Sequence, residues 1–97
     1  MNNDKILKAA THVMSFEEYE YFNDMLDAGR ADAIATRAKT DQGIARAAIR
    51  AFDMDRESWG DSMFDAAAGR CSLDSICGDG YAVYRGRNIT VLVVYSL

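Results

Sequence analysis

Proline is absent from this chain of 97 residues, and cysteine, histidine and tryptophan are scarce. Without proline, no helix boundary is forced by a residue that breaks helices. No apolar run approaches the roughly 20 residues that a transmembrane helix needs. The polar start MNNDK lacks the apolar core of a signal peptide. We therefore expect a cytoplasmic protein that does not contact a membrane.

Few residues offer catalytic or metal-binding chemistry. Cys71 and Cys77 have a spacing that fits neither a zinc ribbon nor a redox motif, so we interpret them as reduced thiols. His12 is the single histidine, and the sequence indicates no partner for it. An enzyme needs an activated nucleophile, a metal cluster, paired carboxylates in a pocket or a cofactor loop. The sequence predicts a protein without catalytic residues, metal or cofactor.

Composition sets the size and charge of the molecule. A hydrophobic content of 49% in 97 residues suffices for a single compact domain over residues 1–97. The net charge of −4 disfavours nonspecific binding to nucleic acid. The charges lie in blocks: residues 1–29 carry six acidic and two basic side chains, whereas residues 30–50 carry two acidic and five basic ones. An acidic and a basic surface are therefore both candidates for function.

The most specific pattern is a helix over residues 15–29. Ser15 and Glu18 are spaced as a capping box, and Gly29 suits the left-handed residue that ends a helix. Apolar residues recur every three or four positions and predict a buried face. These residues are Phe16, Tyr19, Phe22 and Leu26.

A row of carboxylates, named here the acidic stripe, keeps the same period on the far side of this helix. The acidic stripe consists of Glu17, Glu20, Asp24 and Asp27. Together with Tyr21 these residues are the candidate partner-binding set. Two interpretations stay open, since such a row is either a recognition surface or only the solvated face of an amphipathic helix.

Other helices follow from apolar spacing and propensity. A short helix is predicted over residues 4–13, and the alanine-rich residues 30–39 predict another. Thr40 or Asp41 caps a helix over residues 42–52. A further helix capped by Asp53 or Asp55 is predicted to end near Ala68, with Trp59 in its buried face.

The C-terminal residues predict a β-hairpin, because two apolar, β-branched runs flank Arg85-Gly86-Arg87-Asn88. If Gly86 and Arg87 form a two-residue loop, Arg85 faces Asn88 and Tyr84 faces Ile89. Residues 89–95 are apolar on both faces, so the second face needs a helix layer or a partner chain. An unprotected edge there predicts a homodimer through the hairpin. The predicted fold is α+β, with four to five helices followed by a C-terminal antiparallel β-hairpin.

These patterns favour a small acidic protein-binding module that is not an enzyme. Its expected partner is a protein with a basic surface, and the carboxylates would stand in for phosphates. One specific form is a phage-type inhibitor, of the anti-CRISPR or anti-restriction style, that occupies a basic nucleic-acid-binding groove. The alternative is a small dimeric DNA-binding regulator or antitoxin-like protein, for which nucleic acid is the partner. That alternative uses the basic residues Arg37, Lys39, Arg46 and Arg50.

Overall fold

The computed structural model of the chain describes residues 3–53, 62–73 and 81–95. These residues form a mixed fold of helices and an antiparallel sheet that ends in a β-hairpin, which confirms the predicted class and the C-terminal hairpin. The elements are α1 (Asn3–Ala10), α2 (Phe16–Asp27), β1 (Ala31–Thr36), α3 (Asp41–Phe52), α4 (Ser62–Ala67), β2 (Tyr81–Arg85) and β3 (Thr90–Tyr95). Within the described ranges, no helix combines the length and the apolar character that crossing a bilayer requires.

The three strands pair in the order β1-β3-β2, and both pairs are antiparallel. The apolar strand β3 therefore lies in the centre, and its residues 91–94 are all buried, as the sequence predicts. Helices cover both faces of the sheet. The second helix layer buries the face of β3 for which the sequence left a partner chain open.

Two apolar clusters fill the layers on either side of the sheet. Ala31, Ala33, Val91 and Val93 face α1 and α2, where they pack against Ile6, Ala10 and Phe22. Ile34, Leu92 and Val94 face α3 and α4, where they pack against Ile44, Ala48 and Met63. Successive residues of a strand point to opposite faces, so the continuous apolar sequence of β3 contributes to both clusters.

The helix predicted over residues 30–39 is wrong, because residues 31–36 form the edge strand β1. Alanine favours helix by propensity, but tertiary packing overrides that weak preference. Gly29 adopts the left-handed φ of 71° that ends α2 and turns the chain into β1. Small side chains at Ala31 and Ala33 then let α1 and α2 approach the sheet closely.

The predicted register of the hairpin is wrong, since Arg85 pairs with Thr90 and Tyr84 with Val91, and the turn is shifted towards Arg87 and Asn88. The Gly86 N–H donates to the Ile89 carbonyl over 2.8 Å. Gly86 does not adopt a left-handed conformation. Glycine is required there for close approach, because a Cβ atom would lie 2.5 Å from Val13 Cγ1 and 2.9 Å from the Ile89 oxygen.

The remaining boundaries differ in smaller ways. Helix α1 ends at Ala10, three residues earlier than predicted. Asp53 adopts a left-handed φ of 49° and is the C-cap of α3. The start of the following helix, which the sequence predicts to be capped by Asp53 or Asp55, lies outside the described residues. Trp59 and Cys77 also lie outside the described residues. The unprotected edge predicted for the apolar closing strand is wrong, because β3 pairs with β1 on one side and with β2 on the other. Among the described strands of the hairpin only β2 leaves a free edge, and the homodimer through the hairpin stays a prediction.

One carboxylate connects three parts of the fold. Asp41 is the first residue of α3; its Oδ1 accepts from Arg85 Nη2 of β2 over 2.6 Å, and its Oδ2 accepts from the Leu73 N–H over 3.0 Å. The hydrogen bond from Arg85 holds the pKa of Asp41 below its ordinary value. Partial burial opposes this shift, and the bond from Leu73 supports it. Asp41 thereby fixes the hairpin to the helix layer formed by α3 and α4.

Candidate functional site

Helix α2 is fixed at both ends, which sets the direction of every side chain on it. The predicted capping box is confirmed: the Ser15 hydroxyl accepts from the Glu18 N–H over 3.2 Å, and Glu18 Oε1 accepts from the Ser15 N–H over 2.8 Å. At the other end, the Arg30 N–H donates to the Met25 carbonyl over 2.8 Å. These bonds satisfy backbone groups that the ends of an isolated helix leave unpaired.

The inward face of α2 is narrower than its apolar spacing predicts. Phe22 is fully buried against the sheet, and Tyr19 and Leu26 are partly buried beside it. Phe16 is 74% exposed, so its predicted burial is wrong. Six residues separate Phe16 from Phe22, which places the two side chains about 120° apart around a helix of 3.6 residues per turn.

The acidic stripe lies on the outward face of α2. All four of its carboxylates are exposed. Within the part of the chain that the structure describes, none of them forms an ion pair with a Lys or Arg side chain. The last turn of α2 contains no basic residue. The basic residues 30–50 therefore do not neutralise this face through ion pairs among the described residues.

Two exposed aromatic side chains border the acidic stripe. Phe16 lies one helical turn before Glu20, and Tyr21, which is 60% exposed, lies one turn after Glu17. The Tyr21 ring contacts the ring of Tyr95 on β3, with centroids 6.1 Å apart and planes tilted by 49°. This contact restricts the Tyr21 side chain while most of its surface stays available.

Tyr95 anchors this contact from the sheet. Burial raises its pKa above the ordinary tyrosine value, and a hydrogen bond with the Tyr84 side chain raises it further. Tyr95 therefore remains a neutral phenol at any physiological pH. Tyr21 therefore packs against an uncharged, partly buried ring of the sheet.

A shallow pocket of about 320 Å³ adjoins the Phe16 end of the stripe. It is lined by Thr11 and Met14 from the turn after α1, and by Ser15, Phe16 and Tyr19 from the start of α2. Its walls are mainly apolar. A partner side chain that enters this pocket would contact Phe16 while its neighbours approach the carboxylates.

The placement of the stripe is unfavourable for the helix that carries it. Asp24 and Asp27 lie near the C-terminus of α2, where the helix dipole favours cations. Carboxylates three and four residues apart also repel one another by about 0.2–0.5 kcal/mol per pair. Glu17 is the only member of the stripe in the first turn of α2, where the helix dipole favours an acidic residue, so it offsets part of this cost. We therefore expect the stripe to destabilise α2 slightly in the free protein.

The basic residues of the alternative interpretation do not lie on two helices. Arg37 and Lys39 are exposed in the connection between β1 and α3, and Arg46 and Arg50 are exposed one turn apart on α3. Arg46 Nε donates to the carbonyl of Ala67, the last residue of α4, over 3.2 Å. Arg46 thus contributes to packing between α3 and α4, and the arrangement lacks the paired basic helices that the sequence predicts.

Groups capable of catalysis are not brought together in the described ranges. His12 is exposed and lines a pocket of about 360 Å³ with Arg87 and Asn88, without a carboxylate or a nucleophile beside it. No group of three or more His, Cys, Asp or Glu side chains within residues 3–53, 62–73 and 81–95 is placed to hold a metal ion. Cys71 forms no disulfide bond within the described residues. The chain matches no protein-family model, no curated protein and no solved structure at a significant level.

Proposed function

We propose that this chain is a non-enzymatic protein-binding module that inserts the outward face of α2 into a basic groove of a partner protein. The observation that carries the proposal is the acidic stripe itself: four exposed carboxylates on one helix face, with no ion pair among the described residues. Their exposure makes all four carboxylates accessible to cationic side chains of a partner. The complementary charges would steer association and fix the orientation of the complex.

The dimensions of the stripe support a groove that normally holds nucleic acid. Glu17 and Asp27 are ten residues apart, which is about 15 Å along a helix at 1.5 Å per residue. One strand of DNA carries one phosphate per about 3.4 Å of helix axis. Four carboxylates over about 15 Å therefore approach the charge density of a short single strand. An enzyme groove that binds phosphates with Lys and Arg would accept this row in the same orientation.

The two exposed aromatic residues that border the acidic stripe add ring contacts that the carboxylates alone do not provide. Phe16 and Tyr21 offer exposed rings beside the carboxylates, and an arginine of the partner can stack on a ring while it pairs with a carboxylate. Aromatic residues and arginines also dominate the binding energy of protein interfaces. The combination suits a phage-type inhibitor of the anti-CRISPR or anti-restriction style, in which a small acidic protein blocks the nucleic-acid channel of a defence complex.

The direct test is displacement of nucleic acid from purified CRISPR and restriction complexes. Labelled DNA or guide RNA is bound to each complex, and its release is followed by fluorescence anisotropy as the protein is added. We expect competitive release from at least one complex, weakening as salt is added because screening acts on charges at the interface. Failure to release nucleic acid from any complex that has a basic groove contradicts the inhibitor proposal.

A matched pair of variants separates the stripe from bulk charge. Glu20→Gln combined with Asp27→Asn removes two charges from the stripe, and Asp32→Asn combined with Asp53→Asn removes two exposed charges elsewhere. The first pair should weaken displacement about tenfold or more, since it removes two charged contacts. The second pair should change it less than threefold. Equal weakening by both pairs would mean that net charge, and not the acidic stripe, drives binding.

The alternative proposal is a DNA-binding regulator that uses Arg37, Lys39, Arg46 and Arg50. Its support is that all four side chains are exposed. Direct titration of the protein with labelled duplex DNA in the absence of any partner distinguishes it from the inhibitor. Binding that disappears when Arg37 and Arg50 are replaced by glutamine, and survives neutralisation of the acidic stripe, would establish the regulator in place of the inhibitor.

A further inference from the structure

A second surface, on a different side of the fold, has the properties of a small-molecule site. A groove of about 470 Å³, named here the β1 groove, lies where α1 and α3 flank the edge strand β1. Most of its walls are apolar. They are formed by Ile6, Ile34, Ala47, Ala51 and Ile89, among others. This volume falls within the range of about 300–1,000 Å³ that is typical of ligand pockets.

The two polar side chains that line the β1 groove, those of Lys5 and Thr36, can both donate hydrogen bonds to a ligand. Lys5 contributes an exposed ammonium group, and no residue that lines the groove is acidic. Thr36 contributes a hydroxyl whose oxygen already accepts from the Ala38 N–H over 3.1 Å. Its O–H therefore remains free to donate. An ammonium group and a hydroxyl donor that line one groove without an acidic side chain favour an anionic oxygen, such as a carboxylate.

Lys5 is available for such a ligand. It forms no ion pair within the described residues, although four carboxylates on the nearby α2 are also without one. A lysine at the rim of an apolar groove keeps its charged head in water and lays its aliphatic stem along the wall. The groove thus presents one cation at an apolar slot, which is the complement of an anion with an aliphatic tail.

We infer that the β1 groove binds a medium-chain aliphatic carboxylate, with the carboxylate at Lys5 and Thr36 and the alkyl chain against the apolar walls. At about 30 Å³ per non-hydrogen atom, the volume that a water molecule occupies in the liquid, 470 Å³ holds roughly 15 atoms. Because the groove is open on one side, a chain of about eight to ten carbons fits best. This site is independent of the acidic stripe and of the proposed protein-binding function.

Titration with decanoate tests the inference. Decanoate is added below its micelle-forming concentration to the full chain labelled with ¹⁵N, and binding is followed by calorimetry and by amide shifts in NMR spectra. Saturable shifts at residues 34–36, 47, 51 and 89 are expected. Decanol should bind at least fivefold more weakly, and decyltrimethylammonium should not bind. Equal binding of all three compounds would overturn the carboxylate assignment and indicate a nonspecific apolar surface.

Two variants test the walls and the cation separately. Ala51→Leu projects a larger side chain into the groove from an exposed helix position, so the fold should tolerate it and decanoate binding should fall at least tenfold. Lys5→Met keeps the aliphatic stem and removes the charge, so it should weaken decanoate about five- to tenfold and leave decanol unchanged. Lys8→Met and Ala68→Leu are the matched controls, because both positions are exposed and neither lines the groove.

The outcomes are decisive in both directions. The proposed site is supported if Lys5→Met and Ala51→Leu weaken decanoate binding and the two control variants retain it. If Lys8→Met weakens decanoate binding as well, the overall charge of the protein accounts for the interaction and the assignment to Lys5 is wrong. Absence of saturable shifts in the parent protein would overturn the inference outright, and it would leave the protein-binding proposal untouched because that proposal uses a different helix.

Discussion

Replacement of Asp41 should destabilise the protein by removing the contact between the hairpin and α3. Asp41→Ala removes the hydrogen bond from Arg85 and the one from the Leu73 N–H. The Asp41 and Arg85 side chains are 28% and 37% exposed, so solvent screening limits this pair to about 1 kcal/mol. The backbone bond adds about 1 kcal/mol. The expected loss is about 2 kcal/mol, and Asp41→Asn, which keeps an acceptor, should lose about half of it.

The pH dependence identifies the charge as the cause. The pKa of Asp41 is lower in the folded chain than the 3.8 of a free aspartate. The carboxylate therefore contributes its full stabilisation above pH 4 to 5, and this contribution is lost as the pH falls through the folded pKa. Urea unfolding of the parent and of Asp41→Asn at a series of pH values measures it. The difference should be constant near neutral pH and should shrink below about pH 4. A difference that persists unchanged in acid would refute the argument.

Three further predictions concern packing and ionisation. Gly86→Ala should destabilise the fold by about 1–3 kcal/mol in thermal unfolding, and a second change, Val13→Ala, should restore part of this stability because Val13 Cγ1 is the atom nearest to the added Cβ. An unaffected melting temperature of Gly86→Ala would contradict the close contact. Val93→Asp should lower the free energy of unfolding by about 3–5 kcal/mol, since it places an unpaired charge between the sheet and the helices α1 and α2. A variant that melts like the parent would show that β3 is not in the core. In a spectrophotometric titration, Tyr95 should ionise later than an ordinary tyrosine, and stability should fall as the pH rises above 10; ionisation of all five tyrosines together would disagree with its burial.

Helix α2 and the hairpin could be predicted because their signals are local. The capping box of Ser15 and Glu18 and the left-handed Gly29 act within a few residues, and the structure contains both. The continuous apolar sequence of residues 91–94 also predicted correctly that this strand is buried. The acidic stripe was predicted from spacing alone, and its exposure agrees with that prediction.

Strand β1 could not be predicted because its cause is not local. Its alanines favour helix, and only pairing with β3 makes the extended form preferable. A weak signal was present, since Ala31, Ala33 and Ala35 alternate with Asp32, Ile34 and Thr36 as in a strand. The partner strand lies about 60 residues further along the chain, and spacing within residues 30–39 contains no information about it.

The exposure of Phe16 and the register of the turn were missed for geometric reasons. A spacing of three residues falls short of a full helical turn by about 60°. Two such steps, from Phe16 to Tyr19 and from Tyr19 to Phe22, therefore place Phe16 on a different face of the helix from Phe22. At Gly86, the choice of glycine reflects the neighbouring Val13, which belongs to another element. The β1 groove was missed because its walls come from α1, β1, α3 and the residue before β3.

The central claim is that the carboxylates of the acidic stripe are available to a partner and are not used by the fold. Thermal unfolding of the variant with Glu17→Gln, Glu20→Gln, Asp24→Asn and Asp27→Asn tests it without a partner. The variant should melt at the same temperature as the parent or slightly higher, because it loses like-charge repulsion and an unfavourable interaction with the dipole of α2. A clear fall in melting temperature would contradict the claim, since it would mean that cations of the fold already pair with the stripe.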